Sequence, residues 1–278
     1  MQVDLLMANG ADEPVSIEHL RKAILDLAVR GRLVEQREEE GTGVKLIVEA
    51  RALLQNQSKR RVSKKLPPVE TQEIPFLFPD SWCACRLGAC VEIIRGITFP
   101  GSAKRSRPEP DLIPCLRTAN VQNEITWDDL IWVSEGYVRN DDQFVQDGDI
   151  VMSMANSRKL VGKVAYCDRK DSGAAIGGFL SILRPATILP HFLLVVLRTT
   201  SARERLIGSA TQTTNIANIS VGRLRPLVIG VPPLEEQHRI VAKIDELMAL
   251  CDELEARLRK VAEISEQLAE SVVHHSAA

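Results

Sequence analysis

Toward the C-terminal end of the chain, apolar side chains recur at alternating steps of four and three: Ile240, Ile244, Leu247, Cys251, Leu254, Leu258, Val261, then Leu268 and Val272, with Ser265 the polar interruption. A repeat of about 3.5 residues sustained this long is the pattern of a coiled-coil helix. Pro232 and Pro233 fit the start of a helix but not its interior, so the helix begins just after them, with Glu235 and Glu236 at its positive N-terminal end. No Pro or Gly follows as far as Val273. Val241, Met248, Ala262 and Ala269 flank the seam on one side and Leu250 and Ile264 on the other, which makes the stripe wider than a two-helix contact needs. At about 1.5 Å per residue the helix is on the order of 58 Å long. A small domain cannot cover all of it, so the pattern predicts a partner helix, from another chain or elsewhere in this one. An ordinary amphipathic helix on its own core is the alternative.

Earlier in the chain Ile17, Leu20, Ile24 and Leu27 share one helical face, with Ser16 placed to cap its start and Gly31 to end it. This helix is the natural cover for the extra width of the terminal one. A second helical pattern runs from about Val44 to Leu54, followed by a basic run (Lys59, Arg60, Arg61, Lys64, Lys65) that reads as a solvated linker. Beyond Phe78-Pro79-Asp80-Ser81-Trp82 the pattern changes to short β-like runs separated by turns: Val91–Arg95, Leu112–Val121, Asp149–Met154, Lys163–Asp168 and Phe179–Arg184. A helical run from His191 to about Ile207 and a last strand, Leu224–Val231, complete it. The expected fold class is α+β. Residues 1–75 form N-terminal helices and a linker, 76–232 one mixed α/β domain, and 233–278 the long coiled-coil helix.

Composition adds limits. The chain of 278 residues is 45% hydrophobic and 26% charged, as in a soluble globular protein. The opening residues lack the basic start and apolar run of a signal peptide, and the longest apolar stretch, Ile188 to Leu197, is about half a membrane span. A cytoplasmic protein without membrane contact is expected. Six cysteines suit a reducing compartment; Cys83, Cys85 and Cys90 lack the second pair that a structural metal site needs, so no metal is expected. The net charge of −2 is unevenly spread: −1 over residues 1–80, +4 over 81–230 and −5 over 231–278. Only the middle segment has the sign to meet nucleic acid.

Catalytic signatures are missing. Gly96-Ile-Thr-Phe-Pro-Gly101 begins like a phosphate-binding loop, but Ser102-Ala103 stand where Lys and Ser/Thr must hold phosphate and magnesium. There is no glycine-rich cofactor loop and no Asn/Asp-Pro-Pro-aromatic run of the kind that grips a flipped base. The expectation is a non-catalytic chain with no cofactor. The middle segment does offer polar groups in turn-rich stretches: Lys104, Arg105 and Arg107; Arg117, Asn120 and Gln122; Asn156, Ser157, Arg158 and Lys159; and Thr211, Gln212, Thr213, Thr214 and Asn215. Arg can bind guanine through two hydrogen bonds and Asn or Gln adenine likewise, while Lys, Ser and Thr reach phosphates, so these are candidate DNA contacts.

The segments PPLEEQHRIVAKIDELM, IPFLFPDSW, RLG leading to IIRGITF, GDIVMSMANSRKLVGKVA, TQTTNI and LRKAILDLAVRGRLV together resemble the specificity subunits of Type I restriction-modification systems. The resemblance spans most of residues 16–260. It implies a coiled coil of conserved helices, globular target-recognition domains that bind double-stranded DNA, and methyl transfer supplied by separate modification subunits, with a restriction subunit as a further partner. A full-length specificity subunit resembles two such units in tandem, whereas this chain has one. It looks like a half-subunit whose copies pair as a homodimer through Ile240, Ile244, Leu247, Cys251, Leu254, Leu258, Val261 and Leu268. The implied target is bipartite and palindromic, with antiparallel helices setting the spacer. A coiled-coil adaptor that never reads DNA is the alternative reading.

Overall fold

In a computed structural model, residues 16–57, 66–157, 160–170, 172–208, 211–213 and 216–276 are described. Helix α1 (Ile17–Val29) opens under a Ser16 cap whose Oγ accepts from the His19 amide at 3.3 Å, and closes at Gly31, which adopts φ +67°. Helix α2 (Val44–Gln57) buries Ile47 and Ala50. The basic run at 59–65 lies outside the described residues. The strands are β1 (Cys83–Arg86), β2 (Val91–Arg95), β3 (Leu112–Leu116), β4 (Ile131–Ser134), β5 (Ile150–Ser153), β6 (Ala155–Asn156), β7 (Val164–Tyr166), β8 (Ala175–Ile176) and β9 (Leu180–Pro185). There follow α3 (Pro190–Arg198), α4 (Thr200–Gly208), β10 (Thr211–Thr213), β11 (Ile216–Asn218), α5 (Val221–Leu224), β12 (Val228–Val231) and α6 (Leu234–Ser276).

The central sheet has the order β2-β9-β5-β7 with every neighbour antiparallel, and all four residues of β5 are buried. The reason is a layer on each side. Ile150, Met152, Leu183 and Val164 face Phe192, Leu193 and Val196 of α3, and this core continues to α1 and to Ile240 and Ile244 of α6. Val151, Ile182, Ile94 and Ala165 face Leu116, Val121, Ile125 and Ile176, which belong to a second sheet of order β4-β3-β8 and its loops. The mixed α and β architecture with a long terminal helix is the expected one.

Three sequence expectations shift in detail. The helical run from His191 is two helices, because Thr199 adopts an extended conformation (ψ 146°) and its Oγ1 accepts from the Ala202 amide, capping α4. The run from Leu112 leaves the sheet after Leu116 and turns through Thr118–Asn120. The last strand begins only at Val228, its predicted start being the end of α5.

Strands β1 and β12 pair antiparallel, Cys83 opposite Val231, so the chain returns to where it left before α6 begins. There the first turn of α6 is anchored by buried polar groups. Trp82 Nε1 (2.9 Å) and Gln36 Nε2 (2.6 Å) donate to Glu236 Oε1, and Gln237 Oε1 accepts from the Leu189 amide at 2.8 Å. Burial raises the Glu236 carboxyl above its ordinary pKa, against the hydrogen bonds from Trp82 and Gln36. Arg239 adds a two-pronged pair with Glu40, at 2.8 and 2.7 Å. Along the helix α1 covers the first part of the seam, and Arg21 reaches Asp252 (2.5 Å) and Glu255 (2.7 Å). Ile240, Ile244 and Cys251 are buried; beyond them Leu254 (42%), Leu258 (54%) and Leu268 (62%) are exposed. The predicted helical cover is therefore partly intramolecular, and it stops halfway along the seam.

Candidate nucleic-acid interface

The candidate residues separate into two groups of loops on the sheet-bearing part of the molecule. The first is built where the chain leaves the central sheet after β5. Ala155 and Asn156 form the short β6, which pairs with Asn218 and Ala217 of β11, and β11 pairs with β10. The Ile219 amide donates to the Met154 carbonyl at 2.8 Å and extends this pairing. Two segments about sixty residues apart in sequence, MANSRK and TQTTN, are thus edges of one small sheet. Ser157 is exposed, and its carbonyl accepts from both Leu160 and Val161 amides at 2.9 Å, closing the loop that carries it. Arg158, Lys159, Thr214 and Asn215 lie outside the described residues, and Thr211, Gln212 and Thr213 are described in their backbone alone.

The loop after β3 is tied to the residue before β7 and to the end of α3. Gln122 is exposed, and its Oε1 accepts from Lys163 Nζ at 2.7 Å, while the Arg198 guanidinium at the end of α3 donates to the Asn123 carbonyl. Burial lowers the Arg198 pKa, opposed by the charge of Glu124. Asn120, only 2% exposed, has another part to play. Its Oδ1 accepts from the Arg117 amide at 3.0 Å and its Nδ2 donates to the Thr126 and Asp128 carbonyls, both at 3.0 Å. With its amide committed on both sides, it shapes the loop from within. Arg117 is tied to Asp129, through the carboxylate and through the carbonyl at 2.8 Å.

The second group lies on the outer sheet. Arg105 exchanges backbone hydrogen bonds with Trp132 of β4, 2.9 Å in each direction, so the loop from Gly101 forms the edge of that sheet. Lys104, Arg105 and Arg107 are all exposed. The Arg105 guanidinium folds onto the Ser102 (2.8 Å) and Lys104 (3.1 Å) carbonyls and approaches Glu109 at 4.0 Å. Lys163 and Arg198 were not singled out from sequence. Both sit at the ends of regular elements, where only the tertiary contact with the loop at 122–123 reveals them. The exposed Lys, Arg, Gln and Ser side chains of these loops are of the types that meet phosphates and base edges. Among the described residues no cluster of His, Cys, Asp and Glu could hold a metal ion, and no helix is long and apolar enough to cross a membrane.

Residues 79–264 match the profile of the Type I restriction modification DNA specificity domain. The Type I restriction enzyme EcoAI specificity subunit of Escherichia coli is 25% identical over 265 residues, covering 92% of this chain and 44% of that protein. The StySPI specificity subunit of Salmonella potsdam is 28% identical over 198 residues, covering 70% of this chain and 42% of that one. The chain thus spans about half the length of the curated relatives it matches. Its fold resembles that of the HsdS subunit from Thermoanaerobacter tengcongensis, with a TM-score of 0.51 at 22% identity, over 87% of this chain and 50% of the other.

Proposed function

The chain belongs to the Type I restriction-modification DNA specificity family, and on that premise we propose that it reads one half of a bipartite DNA target and directs modification subunits to it. In this reading residues 76–232 are the reading domain, and residues 1–75 with 233–278 form a helical frame for dimerisation and for docking the methyltransferase. The chain itself is non-catalytic and works in the cytoplasm. It holds double-stranded DNA so that a bound modification subunit can flip and methylate a base, with a restriction subunit joining the same frame where the system carries one. A second copy of this chain reads the other half-site.

The observation that carries the reading is the small sheet β10-β11-β6. It gathers two distant polar segments, 155–156 and 211–213 with 216–218, into one unit, and a neighbouring part of the fold supplies the exposed Gln122 loop, held by Lys163 and Arg198, within a chain whose family is defined by DNA specificity. Contacts of this kind release counterions, so affinity falls steeply with salt, and each phosphate contact contributes about one unit to the slope of log K against log salt. Binding of duplex DNA by the complex with its modification subunit, followed across salt concentrations, tests this. Lys163→Met and Arg105→Ala are each expected to weaken binding and flatten the slope by about one unit. Duplex affinity of the wild-type complex independent of salt, or unchanged in both variants, contradicts the reading.

A further inference from the structure

A phenylalanine stands exposed on the turn that joins the two groups of loops. Phe179 is 68% exposed, at the end of Gly177-Gly178-Phe179, just before β9 enters the central sheet. Its backbone is held from several sides. The Phe179 carbonyl accepts from the Met154 amide at 2.8 Å, the Leu180 amide donates to Gly177 at 2.8 Å, and Gly177 in turn donates to Leu116 at 2.8 Å. On the other flank the Gly96 amide donates to the Leu180 carbonyl at 3.2 Å and Ile97 to Ile176 at 2.8 Å. A Cβ on Gly96 would lie 2.2 Å from the Gly177 carbonyl oxygen, so the two backbones meet at a distance that only glycine permits. This is the physical use of the glycine that opens the run ending at Gly101.

The position of this turn follows from the same contacts. Met154 lies opposite Phe179 and leads directly into β6, with Asn156 and Ser157. On the other side Gly177 bridges Ile97, and Gly178 sits against Thr98, whose chain runs on to Lys104, Arg105 and Arg107. Phe179 therefore stands between the roots of the two candidate DNA-contacting loops, on a turn whose two glycines pack closely against Leu116, Ile97 and Thr98. A large apolar side chain kept in water on a hydrogen-bonded turn, between groups suited to phosphates and base edges, is the arrangement of a wedge that enters a base step.

We propose that Phe179 inserts its ring between two adjacent base pairs of the recognised half-site, unstacking that step and fixing the register of the duplex against the flanking loops. The inference rests on the DNA-recognition reading above. The step is distinct from the base that is methylated, since the ring belongs to this chain and not to the modification subunit.

The test uses the complex of this chain with its modification subunit and a duplex carrying the sequence that the complex methylates, with 2-aminopurine placed at each purine in turn. The expected result is enhanced fluorescence at one step inside each half-site, in addition to the methylated position. Phe179→Ala should abolish that signal, leave the signal at the methylated position, and weaken binding by about ten-fold. Phe179→Leu, which can still wedge, should retain most of both. No enhancement away from the methylated position, or the same enhancement in Phe179→Ala, overturns the proposal. So does a loss of affinity that replacing thymine by uracil reproduces without unstacking, which would make the ring a reader of thymine methyl groups. Failure of Phe179→Ala to assemble with the modification subunit would make the ring a protein contact and also overturns it. Absence of duplex binding by the wild-type complex removes the underlying reading itself, and is told apart by that.

Discussion

At the residue scale, the interior of the reading domain depends on a few polar side chains that are almost out of sight from water. Asp149 is 1% exposed; its Oδ1 and Oδ2 accept from Arg184 Nε and Nη2, both at 2.8 Å, and Oδ2 also accepts from the Gln146 amide at 2.8 Å. Arg184 is held above its ordinary pKa: burial acts against the charge, and the hydrogen bonds and charge of Asp149 outweigh it. Breaking such a pair from one side leaves the other charge buried, which costs about 3–5 kcal/mol, whereas replacing both by apolar groups costs much less. Asp149→Ala is therefore expected to lower unfolding stability by about that amount in denaturant titration, and Asp149→Leu with Arg184→Met to recover much of it. Equal losses in the single and double variants would show that the pair is not what matters there.

Glu236 behaves in the opposite sense. Its carboxyl pKa is raised in the folded chain, mainly by burial. The folded state then binds its proton more readily than the unfolded one, so this group's contribution is fully present below the unfolded pKa of about 4.3 and is lost as pH rises through the raised value. Glu236→Gln, which stays neutral, should remove that slope. The difference in melting temperature between variant and wild type is expected to shift in favour of Glu236→Gln as pH climbs from about 4 to 7. A difference constant over that range would mean that the hydrogen bonds from Trp82 and Gln36 offset burial and leave the carboxyl with no net shift on folding. The site residues show the same contrast between what is and is not legible at this scale. Asn120 reads from sequence as a base-contacting amide, yet its partners are carbonyls six and eight residues on. Nothing in the local sequence announces that closure.

At the scale of elements, what was legible followed from periodicity and caps. The start of α6 after Pro233, the Ser16 cap and Gly31 end of α1, and strands β2, β5, β7 and β9 all stand close to where alternation and turn residues put them. What was not legible depends on partners far away in the chain. Strands β6, β8, β10 and β11 are two or three residues long and exist because of what they pair with. Thr199 sits inside a run that reads as continuously helical, and its hydroxyl cap divides it. In α6 the repeat was evident, but not where α1 stops covering it. Leu254 and Leu258 lie just past that point and face solvent. An apolar seam with two uncovered heptads is the expected contact for a second α6. Leu254→Asp should convert a dimer to a monomer by light scattering while leaving the melting of the reading domain unchanged. A variant with the mass of the wild-type assembly would move the dimer contact elsewhere.

At the scale of the whole molecule, α6 carries its seam away from the β1–β12 junction, where the chain of the reading domain returns. The helix has 43 residues, or roughly 65 Å, so two copies paired antiparallel along it would hold two reading domains at opposite ends of a common frame. With base pairs about 3.4 Å apart, that length limits the separation of the two half-sites to roughly 19 base pairs. The net charge is −5 over residues 231–278 and +4 over 81–230, which under the proposed function favours DNA on the sheet-bearing part over the terminal helix.

The most direct measurement is the methylation pattern of a host genome in which this chain is co-expressed with its modification subunit, compared with the modification subunit alone. A new motif that depends on this chain is expected, consisting of two inverted, identical half-sites separated by a fixed, unspecified spacer. A chain-dependent motif whose halves differ would contradict the pairing of two identical copies, and methylation unchanged by the chain would contradict its role in specificity.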